Sequence, residues 1–207
     1  MSLSSIQSFY YESLDSTMDE AKRLIKSGQI TDTAFVVANY QTSGRGTRGR
    51  TWSSPEGSGI YLSVVHLPKS GEHFKLTTLY TLASGIACAQ AIKEVCGIST
   101  NLKPINDLYA NEKKLGGILV ESTLHKEEIS ALITGIGINT HKAFHQIDNL
   151  NVNPISLQEL LSQEDFKKFS KKKLIEQIVN KVCFWYEFVF CGEYANVQET
   201  WNRHSII

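Results

Sequence analysis

Residues 34–66 read AFVVANYQTSGRGTRGRTWSSPEGSGIYLSVVH. Both ends of this stretch are β-branched and aromatic, so Ala34 to Tyr40 (AFVVANY) and Gly59 to His66 (GIYLSVVH) have the composition of buried strands. Between them run 18 residues, Gln41 to Ser58, rich in glycine and arginine. A compact domain rarely carries so long a link unless it is a lid or a binding loop.

Upstream, an apolar strand at Phe9 to Glu12 precedes a helix that Asp15 or Ser16 can cap. Its Met18, Ala21, Leu24 and Ile25 share one face, and it ends at Gly28. Downstream, Phe74 to Val95 has helical spacing through Leu76, Leu79, Leu82, Ala83, Ile86 and Ala87. Thr100 to Lys103, Leu108 to Ala110, Lys114 to Ser122 and Ile129 to Thr140 read as strands, with turns at Asn111-Glu112 and His125-Lys126. Past Asn149 the pattern becomes helical: Ser156 with Glu159 forms a capping box, and Phe166 to Phe190 is a long mixed charged and apolar run. Strands in the middle, with helices before, between and after them, predict an α+β fold in which helices flank a mixed, mostly antiparallel sheet. One face of that sheet is then free to carry a ligand.

The chain has 207 residues, 42% of them hydrophobic, enough for one substantial core and a single domain. Lys+Arg and Asp+Glu both count 21, so the net charge is zero and no global basic field attracts nucleic acid. No stretch approaches the roughly 18 to 20 apolar residues of a membrane span, and the N-terminus lacks a basic segment followed by an apolar one. The expectation is a soluble, cytoplasmic protein without membrane contact. Cys88, Cys96, Cys183 and Cys191 form no CxxC pair and read as reduced core residues.

Gly44-Arg45-Gly46-Thr47-Arg48-Gly49-Arg50 sets three glycines among three arginines. The backbone there can approach a ligand closely, and guanidinium forks bind phosphate or carboxylate. An RGG-like stretch also suits RNA, and a plain surface loop is the other alternative. Trp52 either anchors this loop in the core or stacks on a planar ring. A second cluster, Lys103-Pro104-Ile105-Asn106-Asp107, precedes Lys113, Lys114 and the pair Gly116-Gly117. A lysine beside a carboxylate can neutralise a phosphoryl group in transfer, while the carboxylate holds Mg²⁺ or orients the lysine; a surface hairpin is the alternative. Gly135-Ile136-Gly137-Ile138-Asn139 ends a strand with an amide that both donates and accepts, as an adenine ring requires.

In this order and spacing, QTSGRGTRGRTWSSPEGSGIYLS, KPINDLYANEKKLGGILVE and GIGIN resemble the biotin protein ligase family. The likeness is specific from Ser13 to Asn139 and looser through a helical tail to Trp201, so residues 1–207 are expected to form one catalytic domain with core motifs at 13–140 and the tail at 150–203. The resemblance implies the class II aminoacyl-tRNA-synthetase-like fold of that family. It further implies that Ser16, Thr17, Met18 and Gln41 line a biotin pocket, that Gly44, Arg45, Gly46 and Thr47 fold over biotin and its activated carboxyl, and that Gly116 supplies a backbone N–H. Lys114 would meet the biotin carboxylate and the α-phosphate, with Arg45 and Asp107 as further catalytic residues. ATP would be held by Arg48, Arg50, Trp52, Lys103, Asn106 and Asn139, and Mg²⁺ by Asp107. The implied partner is the biotin carboxyl carrier domain of a carboxylase, and an exposed sheet edge makes a homodimer an expectation.

Three departures stand out. The position after Gly-Arg-Gly, commonly Arg in the family, is Thr47. The usual Lys-Trp-Pro-Asn-Asp reads Lys103-Pro104-Ile105-Asn106-Asp107. The N-terminal winged-helix and C-terminal SH3-like domains common in relatives have no counterpart here, so transcriptional repression is not expected. A lipoate or octanoate ligase or transferase of the same fold is the alternative enzyme. A biotin or adenylate binder without turnover is the alternative outside catalysis.

Overall fold

In the computed structural model, residues 6–67, 77–125, 128–142 and 153–206 are described. Strand β1 (Gln7–Leu14) leads through helix α1 (Thr17–Lys26) to β2 (Ala34–Gln41), the loop and β3 (Gly59–His66). Helix α2 (Thr77–Cys96) follows, then β4 (Asn101–Lys103), β5 (Asp107–Ala110), β6 (Lys113–His125) and β7 (Glu128–Asn139). Helices α3 (Leu157–Leu160), α4 (Gln163–Lys168), α5 (Lys171–Phe190) and α6 (Tyr194–His204) complete the described chain.

Seven strands form one sheet in the order β1-β2-β3-β7-β6-β5-β4. Among the described strands, β1 and β2 pair in parallel, because α1 carries the chain back between them, and the other strand pairs are antiparallel. The expected mixed, mostly antiparallel sheet is therefore the fold. Asn111 and Glu112 both take positive φ, 49° and 60°, the geometry that a two-residue hairpin between β5 and β6 demands.

Alternation along the strands divides the core in two. Phe35, Val37, Ile60, Leu62, Val64, Ile118, Ile136 and Ile138 face the larger cluster, which α2 and α5 cover. Ala34, Val36, Val65 and Ile133 face the other way, onto Met18, Ala21 and Leu24 of α1. Each Leu or Ile buried in these layers contributes roughly 1.5 to 3 kcal/mol. α1 is short, and it packs mainly on β2, β3 and β7. The same sheet face continues past it onto β6, and there the surface is hollow.

The tail differs from a continuous helix over Phe166 to Phe190. Phe169 has extended backbone, and the Ser170 hydroxyl accepts from Lys173 N, so α5 starts afresh from its own cap. The capping box forms, with Ser156 N donating to Glu159 Oε2 at 3.1 Å. The Tyr186 hydroxyl, deep under α2, is satisfied by Thr134 Oγ1 and by Ser84 Oγ. Cys88 is buried, but Cys191 is not a core residue: it caps α5 and is exposed. The expected start of α2 at Phe74 and the residue Lys126 of the second turn lie outside the described residues.

Trp201 of α6 fits against Gly85, where an added Cβ would sit 2.6 Å from Trp201 Cζ3. Beyond it, Ile206 N donates to Leu102 O, and Ser205 bridges Leu102, covering the β4 edge. Trp201 is 6% exposed, so Trp201→Ala should cost about 3 to 5 kcal/mol in a urea titration. A loss under about 1 kcal/mol would mean that α6 is not seated through this side chain.

Candidate functional site

The hollow is a cavity of about 150 Å³ between α1, the Gln41 to Ser58 loop and strands β3, β6 and β7. Of the residues expected in a site, Ser16, Thr17, Met18, Gln41, Arg45, Gly46, Thr47, Arg50, Trp52, Asn106, Asp107, Lys114 and Asn139 line it. Gly44, Arg48, Lys103 and Gly116 do not. Gly44 is buried behind the loop, and Gly116 faces Leu108 and Ile138 on the core side of β6. Arg48 is exposed at the loop tip, and Lys103 is exposed on β4, its Nζ 5.1 Å from the Tyr109 ring centroid.

The glycine and arginine loop is a small hairpin. Gly46 N donates to Arg50 O (2.7 Å) and Trp52 N to Gly44 O (2.8 Å), around a 3₁₀ turn at Thr47–Gly49. Its base is fixed by Gln41. The Gln41 Oε1 accepts from Thr17 N (2.8 Å) and Thr17 Oγ1 (3.2 Å), while Nε2 donates to Ser54 Oγ (2.8 Å). Ser63 Oγ donates in turn to Thr17 Oγ1 (2.8 Å). A polar chain thus runs from the middle of β3 through the start of α1 to the loop. Gly44 must lack a side chain, since a Cβ there would lie 2.4 Å from Trp52 O.

Trp52 lies against β6 and β7. Gly117 and Gly137 are register partners, and Cβ atoms on them would sit 3.1 and 2.4 Å from the indole. Only paired glycines give a sheet surface flat enough for that contact. The Trp52 Nε1 is buried without a partner. Lys114 Nζ lies 5.6 Å from the indole centroid and 2.7 Å from Asp107 Oδ1. Both are about one-fifth exposed, so the ion pair faces the cavity with little water around it.

Two side-chain amides and the Lys114 backbone hold this arrangement. Asn106 Nδ2 donates to Ile118 O, and Ile118 N donates to Asn106 O, tying the residue before β5 to β6. Asn139 Nδ2 donates to Lys114 O (3.3 Å) and Ile155 O (3.1 Å). The Lys114 backbone also pairs with the later chain, accepting from Ile155 N and donating to Asn153 O.

Several lining residues were not foreseen. Tyr61 donates to Pro55 O (2.8 Å) and shares a hydrogen bond with Ser58 Oγ (2.9 Å); burial raises its pKa above the ordinary value. The signal was available, because Tyr61 and Ser63 alternate with Ile60 and Leu62. His141 also lines the cavity, its ring edge-on to Phe166 at 5.0 Å. Burial lowers its pKa, and nearby Lys171 lowers it further, which favours the neutral imidazole. Lys171, half-buried and itself lowered by burial, donates to Gly57 O. Residues so distant in sequence carry no spacing that could have joined them.

Residues 10–139 match the biotin/lipoate A/B protein ligase family. The chain is 34% identical over 178 residues to the bifunctional ligase/repressor BirA of Bacillus subtilis, covering 84% of this chain and 51% of that protein. It thus spans about half the length of the curated relatives it matches. Among solved structures it is similar to biotin protein ligase from Aquifex aeolicus in complex with biotin and ATP, at 26% identity and a TM-score of 0.79 over 97% of this chain and 78% of that one. Biotin protein ligase from Leishmania major in complex with biotinyl-5-AMP aligns at 28% identity and 0.77, over 97% and 81%. The fold is accordingly the class II aminoacyl-tRNA-synthetase-like fold of these enzymes.

Gly137→Ala should force the indole off the sheet at a cost of about 1 to 3 kcal/mol. The near-ultraviolet dichroism of Trp52 reports it; an unchanged spectrum would show that Trp52 does not rest on Gly137.

Proposed function

The chain belongs to the biotin/lipoate A/B protein ligase family, and on that premise we propose that it is an ATP-dependent biotin protein ligase. The observation that carries this reading is the Lys114 ammonium, held at 2.7 Å by Asp107 in a cavity that Arg45, Gly46, Thr47, Arg50 and Trp52 of the hairpin also line. A carboxylic acid with an apolar body fits between Thr17 and Gln41 at one end and Lys114 at the other, beside Met18 and Leu119. Its carboxylate attacks the α-phosphate of ATP and pyrophosphate leaves. An acceptor lysine amine then attacks the acyl carbon of the mixed anhydride, AMP departs, and the amine loses a proton.

In the first step charge grows on the phosphoryl oxygens, and Lys114 is a preorganised cation for it. Asp107 aligns that cation. Trp52 and Asn106 border the space for the adenosine half, Asn139 frames it through its bonds to Lys114 O and Ile155 O, and Arg50 supplies charge for the phosphates. The closed hairpin keeps water from the anhydride.

Magnesium fits this donor set. Mg²⁺ is commonly bound by one or two carboxylates together with substrate phosphates and waters, and Asp107 offers a carboxylate to the cavity whose one described partner is Lys114 on Oδ1. Bound there with ATP, it would neutralise phosphate charge.

The acceptor we propose is the biotin carboxyl carrier domain of a biotin-dependent carboxylase, met in the cytoplasm where ATP is plentiful. The zero net charge argues against a nucleic-acid partner. No helix among the described residues is long and apolar enough to cross a membrane. A homodimer formed by sheet extension would use β1, since Ser205 and Ile206 cover β4 at the other edge.

Biotin-dependent exchange of labelled pyrophosphate into ATP, followed by transfer to a carrier domain, tests the reading. Lys114→Ala should lower exchange by at least about tenfold. Exchange driven by lipoate instead of biotin, or none at all, would overturn the proposal. Thr47→Arg should slow escape of the adenylate, because a charge-assisted hydrogen bond contributes roughly 1.5 to 3 kcal/mol. Equal escape rates from wild type and variant would show that residue 47 does not reach the phosphate.

A further inference from the structure

Four charged side chains from three segments meet beside the cavity. Arg45 Nη1 lies 2.9 Å from Asp19 Oδ1 on α1, and its Nη2 lies 3.1 Å from Glu121 Oε2 on β6. The same Glu121 oxygen accepts from Lys22 Nζ at 2.7 Å, and Lys22 returns to Asp19 Oδ1 at 4.0 Å. Charges alternate around this ring and sum to zero. Of its members only Arg45 lines the cavity, so the other three can act on a ligand only through it. Both terminal nitrogens of Arg45 are taken, and its Nε is buried without a partner.

What the ring holds is the outer half of the hairpin. The base is fixed by backbone bonds, Thr42 N to Leu14 O and Ser43 N to Asp15 O, and by Gln41. Among the described residues, no hydrogen bond or ion pair ties residues 46–50 to the rest of the fold. Between the fixed base and the free tip, the attachments are the Trp52 indole on its glycines and the Arg45 ring. The ring side chains are each about a third exposed, between 29% and 37%. Single exposed pairs are weak. Here one guanidinium is gripped from two secondary-structure elements at once, which restrains its direction as well as its distance.

We propose that Asp19 and Glu121 are positioning residues which, with Lys22, clasp Arg45 and hold the hairpin shut, and that release of this clasp sets how fast the bound acid and its adenylate escape. The statement about escape rests on the ligase reading; the statement about the hairpin does not.

Two measurements on the full chain separate them. The first needs no ligand: trypsin cleavage after Arg48 and Arg50, located by mass spectrometry, reports the open hairpin. Glu121→Gln and Asp19→Asn keep shape and remove charge, and each should speed that cleavage by about fivefold, with other sites unaffected. Wild-type cleavage should quicken as salt rises to about 0.5 M, and cleavage of the double variant should not. In an Arg45→Ala background Glu121→Gln should add nothing. Equal tip cleavage in wild type and double variant, or the same increase with Arg45 removed, would overturn the clasp.

The second measurement follows dissociation of preformed biotinyl-adenylate. Glu121→Gln should raise its rate and the KM for biotin by about the same factor, with kcat for pyrophosphate exchange within about twofold. Faster tip cleavage with unchanged escape would overturn the link to release and leave the clasp standing. If wild type forms no adenylate, the ligase reading fails, and the cleavage result alone decides the clasp.

Discussion

An indole pressed onto bare backbone organises this molecule. Trp52 can lie on the sheet only because Gly117 and Gly137 stand opposite one another in β6 and β7 and leave no side chain between them. That contact fixes the far end of an 18-residue connection and brings its arginines over the same strands that carry Lys114 and Asn139. It also removes water from one flank of the Lys114 and Asp107 pair, where a lower local dielectric strengthens whatever the ammonium does. The hairpin, the ion pair and the cavity are three views of one packing arrangement.

Hydrogen bonding shows the same economy. Gln41 uses its oxygen on the first turn of α1 and its nitrogen on Ser54, so a single amide sets the helix and the loop in mutual register. Thr17, receiving from Ser63 while donating to Gln41, links that amide to the centre of the sheet. Burying such groups is tolerable because nearly every donor finds an acceptor. Among the described residues, two of the buried atoms without a partner, Trp52 Nε1 and Arg45 Nε, belong to residues of the cavity wall, while another, Thr100 Oγ1, lies just before β4.

Much of the fold was legible because strands and helices announce themselves locally. The β-branched runs gave β2 and β3, the Asn111-Glu112 turn gave the β5 and β6 hairpin, and Ser16 gave the start of α1, within a few residues each. The break at Ser170 was missed because the apolar periodicity runs on across it, and periodicity does not register a serine that prefers to cap. Motif spacing collected most of the cavity lining, since Gly44 to Trp52 and Lys103 to Gly117 are contiguous. It did not see that Lys103 and Arg48 stay outside, which depends on strand phase and on a positive φ at Arg48. Nor did it see Asp19, Glu121, His141 or Lys171, whose relevance exists only once distant segments are folded together.

The Lys114 backbone is stapled between Asn153 and Ile155, and Asn139 fastens the same spot with its side chain. The lysine at the centre of the site therefore takes its seat from chain that comes some 40 residues later, beyond the last residue of the family match at 139. A fragment ending after Asn139 would contain every recognisable signature and still lack the piece that anchors its principal cation. The smallest unit that seats this lysine is thus longer than the motifs around it, and grafting or trimming guided by motif boundaries would discard part of its support.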